Sequence, residues 1–305
     1  MNILFLNHPQ EQCGVHQFGK KIGLALEKYG IKYNWFYRTV NDEFQYWNIL
    51  KEINPLAIIF NYYPSTMPWY GSIAPNTMIP KIGIVHEVYL WESLLNGFDK
   101  LIIPDPTWET NNSNVFITGR LIPDFISKPP PGELTIGSFG FGFANKGWTR
   151  LIDMVQNEFD EAKIRFNMTV ATFGDPDGSQ TRAVAEDCRQ QINNPGINLE
   201  ITHAFLSTNE LLNWASQNTL NAFFYDAFTG RGISSAIDYA LAVKRPIAVN
   251  SSYMFRHICT SSIHTEEISL KDIIKNGIKP LEEFYLKWTP QNLTKEYENI
   301  IDQIV

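Results

Sequence analysis

Short apolar runs alternate with segments of helical periodicity along the first 126 residues. The run at 2–6 ends at an Asn-His-Pro step, and apolar residues then recur at helical spacing from Val15 to Tyr29. Runs this short and this uniformly apolar are typical of strands buried on both faces of a parallel sheet. Further runs of this kind lie at 56–61, 82–85, 100–104, 115–117 and 121–123.

Residues 127–132, Ser-Lys-Pro-Pro-Pro-Gly, interrupt this pattern. Three consecutive prolines fit neither a helix interior nor a central strand, so we expect a linker between a domain at 1–126 and a second domain at 133–288. The alternation then restarts. The predicted strands are 134–139, 166–171, 199–202, 220–225 and 246–249, and the predicted helices are 148–159, 178–192, 209–215 and 234–243.

A last helix is predicted at 289–305. Thr289 suits its N-cap and Pro290 its first turn, and apolar residues such as Leu293 and Tyr297 then fall on one face. Periodicity leaves open whether this helix packs on the second domain or returns to the first. The two successive β/α arrays predict an α/β chain with two Rossmann-like, doubly wound domains, whose ligands bind beyond the carboxyl ends of the strands.

Composition and charge exclude several classes of function. The chain has 305 residues and a formal net charge of −7, which argues against a nucleic-acid partner or an anionic-membrane binder, because either needs a basic face. No window approaches about 18 consecutive apolar residues, so no membrane span is expected, and the polar residues after 2–6 argue against a signal peptide. Cys13, Cys188 and Cys259 form no CxxC pair, which favours a reducing, cytoplasmic setting.

The first candidate site is the glycine-rich loop 140–147, between a predicted strand and a predicted helix. Backbone N–H groups at a helix start attract phosphate, and Lys146 adds a full positive charge. The loop is neither a dinucleotide-binding GxGxxG nor a P-loop. An ordinary glycine-rich turn with an exposed lysine explains it equally well.

The second candidate site is the segment 225–238, which also links a predicted strand to a helix. Gly232 allows a ligand to approach the backbone closely, and Arg231 can neutralise a diphosphate with its planar donors. Ser234 or Ser235 can cap the helix, whose exposed N–H groups could hold the same diphosphate.

Two single side chains complete the candidates. His86 directly follows the predicted strand 82–85, although a lone histidine is more often structural than catalytic. Asp238 lies one turn inside the helix after the second site, where it could accept hydrogen bonds from ribose hydroxyls or merely complement the helix dipole. The Asp-Pro-Asp step at 175–177 is expected to be a plain turn, and no Cys/His spacing indicates a metal site.

Several motifs are similar to those of one enzyme family. They are "CGVHQFGKKIGLAL", "IVHEV", "IGSFGFGFANKGWTRLIDMV", "ITHAFLSTNELLNWASQNTLNAFFY" and "GISSAIDYALAVKRPIAV". In these motifs the sequence resembles glycosyltransferases of the GT-B fold, most closely glycosyltransferase family 4, over nearly the whole chain and most strongly across 136–249. The resemblance implies two Rossmann-like domains that face a central cleft, transfer with retention of anomeric configuration, and no bound metal or other cofactor.

The resemblance also implies roles for the candidate residues. It implies contact of His86 with the sugar near its anomeric carbon and of Asp238 with the ribose. Phe141 stands where the family usually has an arginine and Gly230 where it has its first glutamate, and Asp226 is expected to supply the missing catalytic acid. The residues expected at the donor diphosphate are Gly14, Lys146, Arg231, Gly232, Ser234 and Ser235.

We therefore expect a glycosyltransferase that moves a sugar from a nucleotide-sugar donor to a hydroxyl of a glycan, lipid or small-molecule acceptor. Two alternatives stay open. One is a catalytically inactive nucleotide-sugar-binding protein of the same fold, which the departures at Phe141 and Gly230 favour. The other is a Rossmann enzyme of another class, such as a sugar-nucleotide epimerase, which the absence of GxGxxG after either opening strand disfavours. Peripheral contact with a membrane also stays open.

Overall fold

The structure is a computed structural model that describes every residue except 88–90, 127, 130 and 228–231. Positions 127 and 130 of the predicted linker, and Gly230 and Arg231 of the second candidate segment, therefore lie outside the described residues. The chain divides into two compact units. The first contains the described residues of 1–121, together with Gly232 and 287–305, and the second contains the described residues from 122 to 286 apart from Gly232.

The first unit is built on a wholly parallel sheet with the strand order β2-β1-β3-β4-β5-β6. The inner strands of this sheet are buried along most of their length, as predicted, whereas the edge strand Asn34–Thr39 carries polar, exposed residues. Residues 121–123, expected to be a short extended piece, form no strand, and Pro123 has no N–H to donate to a ladder. The elements are β1 (Asn2–Asn7), α1 (Gly14–Tyr29), β2 (Asn34–Thr39), α2 (Glu43–Ile53), β3 (Ala57–Phe60), α3 (Tyr70–Ile73), β4 (Lys81–Ile84), α4 (Trp91–Leu94), β5 (Lys100–Ile103) and β6 (Val115–Ile117).

The second unit is built on another wholly parallel sheet, with the order β11-β10-β7-β8-β9. The two parallel-sheet units confirm the predicted α/β fold class. The elements are β7 (Thr135–Phe141), α5 (Trp148–Glu158), β8 (Ala162–Thr169), α6 (Ser179–Gln191), β9 (Ile197–Thr202), α7 (Thr208–Ser216), β10 (Leu220–Phe223), α8 (Ala236–Ala242), β11 (Ile247–Val249), α9 (Leu270–Asn276), α10 (Glu282–Lys287) and, returning to the first unit, α11 (Pro290–Ile301).

The C-terminal helix α11 packs on the first unit. Leu293 and Tyr297 are buried in the same cluster as Ile3 and Phe5 of β1. The Glu298 carboxylate accepts hydrogen bonds of 2.8 Å from the backbone N–H groups of residues 31 and 32, just after α1. Burial and these bonds together fix α11 against α1. The C-terminal helix therefore returns to the first unit, which the periodicity of the sequence left open.

No helix within the described ranges is long and apolar enough to cross a membrane.

Replacing Leu293 by alanine should destabilise the first unit by about 2–5 kcal/mol, because the side chain is only 2% exposed and its removal leaves a cavity. Leu286→Ala in α10 is the matched control, since that leucine is 76% exposed and its loss should cost less than about 0.5 kcal/mol. Urea unfolding followed by circular dichroism measures both. Equal effects of the two substitutions would contradict the packing of α11 on the first unit.

Candidate functional site

The loop after β7 is shaped by Gly147. This residue has a φ of 67°, and an added Cβ would lie 1.9 Å from the carbonyl oxygen of Phe224, so only glycine fits. Lys146 ends the short 3₁₀ turn before it, and the Lys146 N–H donates to the carbonyl of Phe143 at 3.1 Å. The carbonyl of Phe143 also accepts from Trp148 Nε1 at 3.0 Å. The loop is therefore fixed at both ends and presents Lys146 at the carboxyl edge of the sheet.

Lys146 lies over an aromatic ring from the segment that follows the neighbouring strand β10. Its Nζ is 3.6 Å from the centroid of the Tyr225 ring, a cation–π contact. The two loops are also joined through the backbone, because Asp226 N–H donates to the carbonyl of Asn145 at 2.9 Å. Asn250 and Ser252, after β11, bond the carbonyls of Tyr225 and Asp226 at 2.8 and 2.9 Å. The loops after β7, β10 and β11 thus form one hydrogen-bonded edge.

Arg150, which the sequence argument missed, lies at this edge. Its Nη1 is 2.7 Å from the Asp226 carboxylate, and its Nη2 donates to the Phe224 carbonyl. Both side chains of the pair are close to half exposed, so the pair contributes modestly to stability. The structure brings Lys146, Arg150 and Asp226 together. No pattern in the sequence pointed to Arg150, because its role comes from a contact between the first turn of α5 and the segment after β10.

Of the two serines predicted to bind phosphate, Ser234 already makes hydrogen bonds within the protein. Ser234 N–H donates to the carbonyl of Met254 at 3.0 Å, and its hydroxyl accepts from the Ala236 N–H at 3.4 Å. Ser235 stands at the N-cap position of α8 but makes no capping bond with its side chain. Asp238 is completely buried and interacts within the protein. In this conformation the start of α8 offers fewer donors to a phosphate than the sequence suggests.

His86 lies beyond β4 in a polar network of the first unit. His86 Nε2 is 2.8 Å from Asn61 Oδ1, and Asn61 Nδ2 donates to Asn7 Oδ1 at 2.8 Å. Burial, with Arg120 and His8 nearby, lowers the pKa of His86 to about 3, so the ring is neutral near pH 7. An added Cβ on Gly232, which belongs to the same unit, would lie 2.0 Å from the carbonyl oxygen of His86.

Two more histidines, His8 and His16, join this network and were missed by the sequence argument. They are 1% and 2% exposed, and their rings meet edge to face with centroids 5.5 Å apart. His16 Nδ1 is 2.5 Å from the His8 carbonyl, whereas both ring nitrogens of His8 have no hydrogen-bond partner among the described residues. Burial and the neighbouring His16 lower the pKa of His8 to about 4. Gly14, the first residue of α1, is exposed and precedes His16 by two positions.

No three His, Cys, Asp or Glu side chains are grouped closely enough to hold a metal ion in the part of the chain that the structure describes.

Solved structures of glycosyltransferases share this fold. HepE from Anabaena, solved with UDP and glucose, has a TM-score of 0.67 and 10% identity over 100% of both chains. Trehalose-6-phosphate synthase, studied for glycosyl transfer with retention, has a TM-score of 0.64 and 9% identity over 99% of both chains. An α-glucosyltransferase solved with UDP and DNA has a TM-score of 0.56 and 12% identity over 98% of this chain and 93% of its own.

These likenesses define the architecture as the GT-B fold, as the sequence motifs indicated. No protein-family model matches the sequence, and no curated protein is significantly similar to it.

The buried histidines should make the first unit sensitive to acid. Between the ordinary pKa of 6.5 and about 4, the unfolded chain binds a proton at His8 that the folded chain does not. The stability is therefore complete above pH 6.5 and falls as the pH drops toward 4, by about 1–3 kcal/mol. His8→Gln should flatten this part of the curve of unfolding free energy against pH. Parallel curves for the wild type and the variant would contradict the assignment.

Proposed function

We propose that this protein is a glycosyltransferase, similar to family 4, that transfers a sugar from a nucleotide-sugar donor to an acceptor hydroxyl with retention and without a metal ion. The observation that carries the proposal is the loop pair at the edge of the second sheet. It holds Lys146 over Tyr225 and places the Arg150–Asp226 pair beside them. The fold supports it, because HepE, with the same fold, has been solved with UDP-glucose.

The donor diphosphate is the leaving group of such a transfer, and negative charge grows on it in the transition state. Fixed cations stabilise that charge without reorganisation at the moment of reaction. Lys146 is the first of these cations, and Arg150 is a second that the sequence argument did not include. Arg231 keeps its assignment from the sequence. A diphosphate held in this way needs no metal ion to balance it, and trehalose-6-phosphate synthase supports the assignment of retention.

His86 is assigned to the reacting sugar. Because its ring is neutral, it acts as a hydrogen-bonding group and not as a fixed charge. Its bond to Asn61 Oδ1 is made through Nε2, which fixes the orientation of the ring if Nε2 carries the proton and leaves Nδ1 as an acceptor for a sugar hydroxyl. Asp226 holds Arg150 in place through an ion pair of 2.7 Å.

An inactive nucleotide-sugar-binding protein is the second candidate. The observation that favours it is the complete burial of Asp238, which would have to become accessible before it could contact a ribose. Hydrolysis of the donor in the absence of acceptor separates the two candidates, because an inactive protein binds the donor without consuming it.

The three cysteines are free thiols, which supports action in the reducing cytoplasm.

Lys146→Ala should weaken binding of a nucleoside diphosphate by about 10- to 150-fold, because a hydrogen bond to a charged group is worth about 1.5–3 kcal/mol. Binding of the free nucleoside should change little. Calorimetric titration in the presence of a chelator measures both and tests the absence of a metal requirement. Lys275→Ala, at an exposed lysine of α9, is the matched control. Equal losses for nucleoside and diphosphate, or binding only with added magnesium or manganese, would contradict the proposal.

His86→Ala should lower turnover while leaving the affinity for the nucleoside diphosphate nearly unchanged, because a contact to the reacting sugar matters mainly in the transition state. A purely structural histidine gives the opposite pattern. Its loss would lower the melting temperature through the broken bond to Asn61, and the remaining folded protein would turn over normally. Turnover, affinity and melting temperature measured on one preparation decide between these roles.

A further inference from the structure

Three phenylalanines form a cluster at the carboxyl edge of the second sheet. Phe141 ends β7, Phe143 follows it, and Phe173 comes from the loop after β8. The Phe141 and Phe173 rings meet edge to face with centroids 5.2 Å apart, and Phe143 lies 6.4 and 6.1 Å from them. Phe173 is 55% exposed, although exposure of so large an apolar ring is unfavourable in water. We call these three residues the phenylalanine platform.

The loop that carries Phe173 is held rigidly. Gly174 and Asp175 both donate their N–H groups to the carbonyl of Ala171, at 2.9 and 2.7 Å. The Asp175 carboxylate is buried and accepts from Gln180 N–H at 3.0 Å, and from the N–H and hydroxyl of Thr181 at 2.8 and 2.7 Å. The exposed ring is therefore presented by an anchored turn, which lowers the entropic cost of binding a ligand against it.

The platform is continuous with the loop that presents Lys146. Phe143 and Lys146 belong to one loop, joined by the bond from Lys146 N–H to the Phe143 carbonyl. Strand β7 lies between β10 and β8, and Lys146 leans toward the β10 side, over Tyr225, whereas Phe173 follows β8 on the other side. A ligand that places an anion at Lys146 and extends along this edge toward β8 meets an uncharged aromatic surface.

We propose that the phenylalanine platform stacks the nucleobase of the nucleotide whose diphosphate binds Lys146. This inference rests on the proposed function. A nucleobase is planar and apolar on its faces, and stacking on an aromatic ring holds it without reading its edge. The platform therefore gives affinity for the base with little discrimination between uracil, adenine and guanine.

Phe173→Ala should weaken binding of UDP, ADP and GDP by about 5- to 150-fold, the range expected for one lost base-stacking contact. Binding of inorganic pyrophosphate, which has no base, should stay within about twofold of the wild type. Phe173→Trp should retain the affinity for the nucleoside diphosphates, because the indole also stacks. Phe44→Ala is the matched control, since Phe44 is 75% exposed on α2 of the other unit. Calorimetric titration measures all four proteins, with melting temperatures as a check on folding.

The outcomes separate this inference from the proposed function. If the wild type binds a nucleoside diphosphate and Phe173→Ala binds it equally well, the stacking inference is overturned and the proposed function stands. If pyrophosphate binding falls as much as nucleotide binding, stacking is also overturned. If Phe173→Ala keeps its nucleotide affinity and loses binding to lipid vesicles, the platform is a membrane contact instead. A wild type that binds none of the three nucleotides overturns both proposals.

Discussion

The close approach of Gly147 to the carbonyl of Phe224 is the constraint on which the candidate site of the second unit depends. A side chain at residue 147 would collide with that oxygen, and the absence of one lets the loop after β7 touch the chain after β10. The bond from Asp226 N–H to the Asn145 carbonyl follows from the same contact. Because the two loops are joined, Lys146 and Arg150 contact residues that follow β10. Both cations therefore lie at the same edge of the sheet as Asp226, although they are some 80 positions away from it in the sequence.

The two units differ in how they use charge. The edge of the second sheet holds ionised groups near the surface, where water screens them and a charged ligand can reach them. The edge of the first sheet holds three histidines in buried or half-buried positions, and burial keeps them neutral. The first edge therefore offers hydrogen-bonding groups of fixed orientation, and the second offers charge. A sugar needs the former and a diphosphate the latter, which agrees with the roles assigned to each unit.

The fold was predictable because buried parallel strands are apolar at every position and are bounded by polar loops. The helix α2 was not predicted, because only Tyr46 and Ile53 of it are buried and the apolar periodicity is correspondingly weak. Lys146 could be singled out because it lies in a glycine-rich loop after a strand, and Asp226 because it directly follows a predicted strand. Arg150 could not, because its role comes from a pairing across strands. His8 and His16 look like ordinary loop and helix residues, and only the folded chain brings their rings together.

The pairing of Arg150 with Asp226 decides how the charge of the second edge acts. A paired arginine adds little net charge, so Lys146 supplies most of the local positive field in the described part of this edge. The pair instead fixes the direction of the guanidinium, because Asp226 and the Phe224 carbonyl hold two of its nitrogens. A diphosphate that binds here meets one cation that attracts it from a distance and a second that is already oriented. Removing Asp226 would raise the net positive charge and would leave Arg150 held only by the Phe224 carbonyl, so Asp226 affects both the charge of this edge and its geometry.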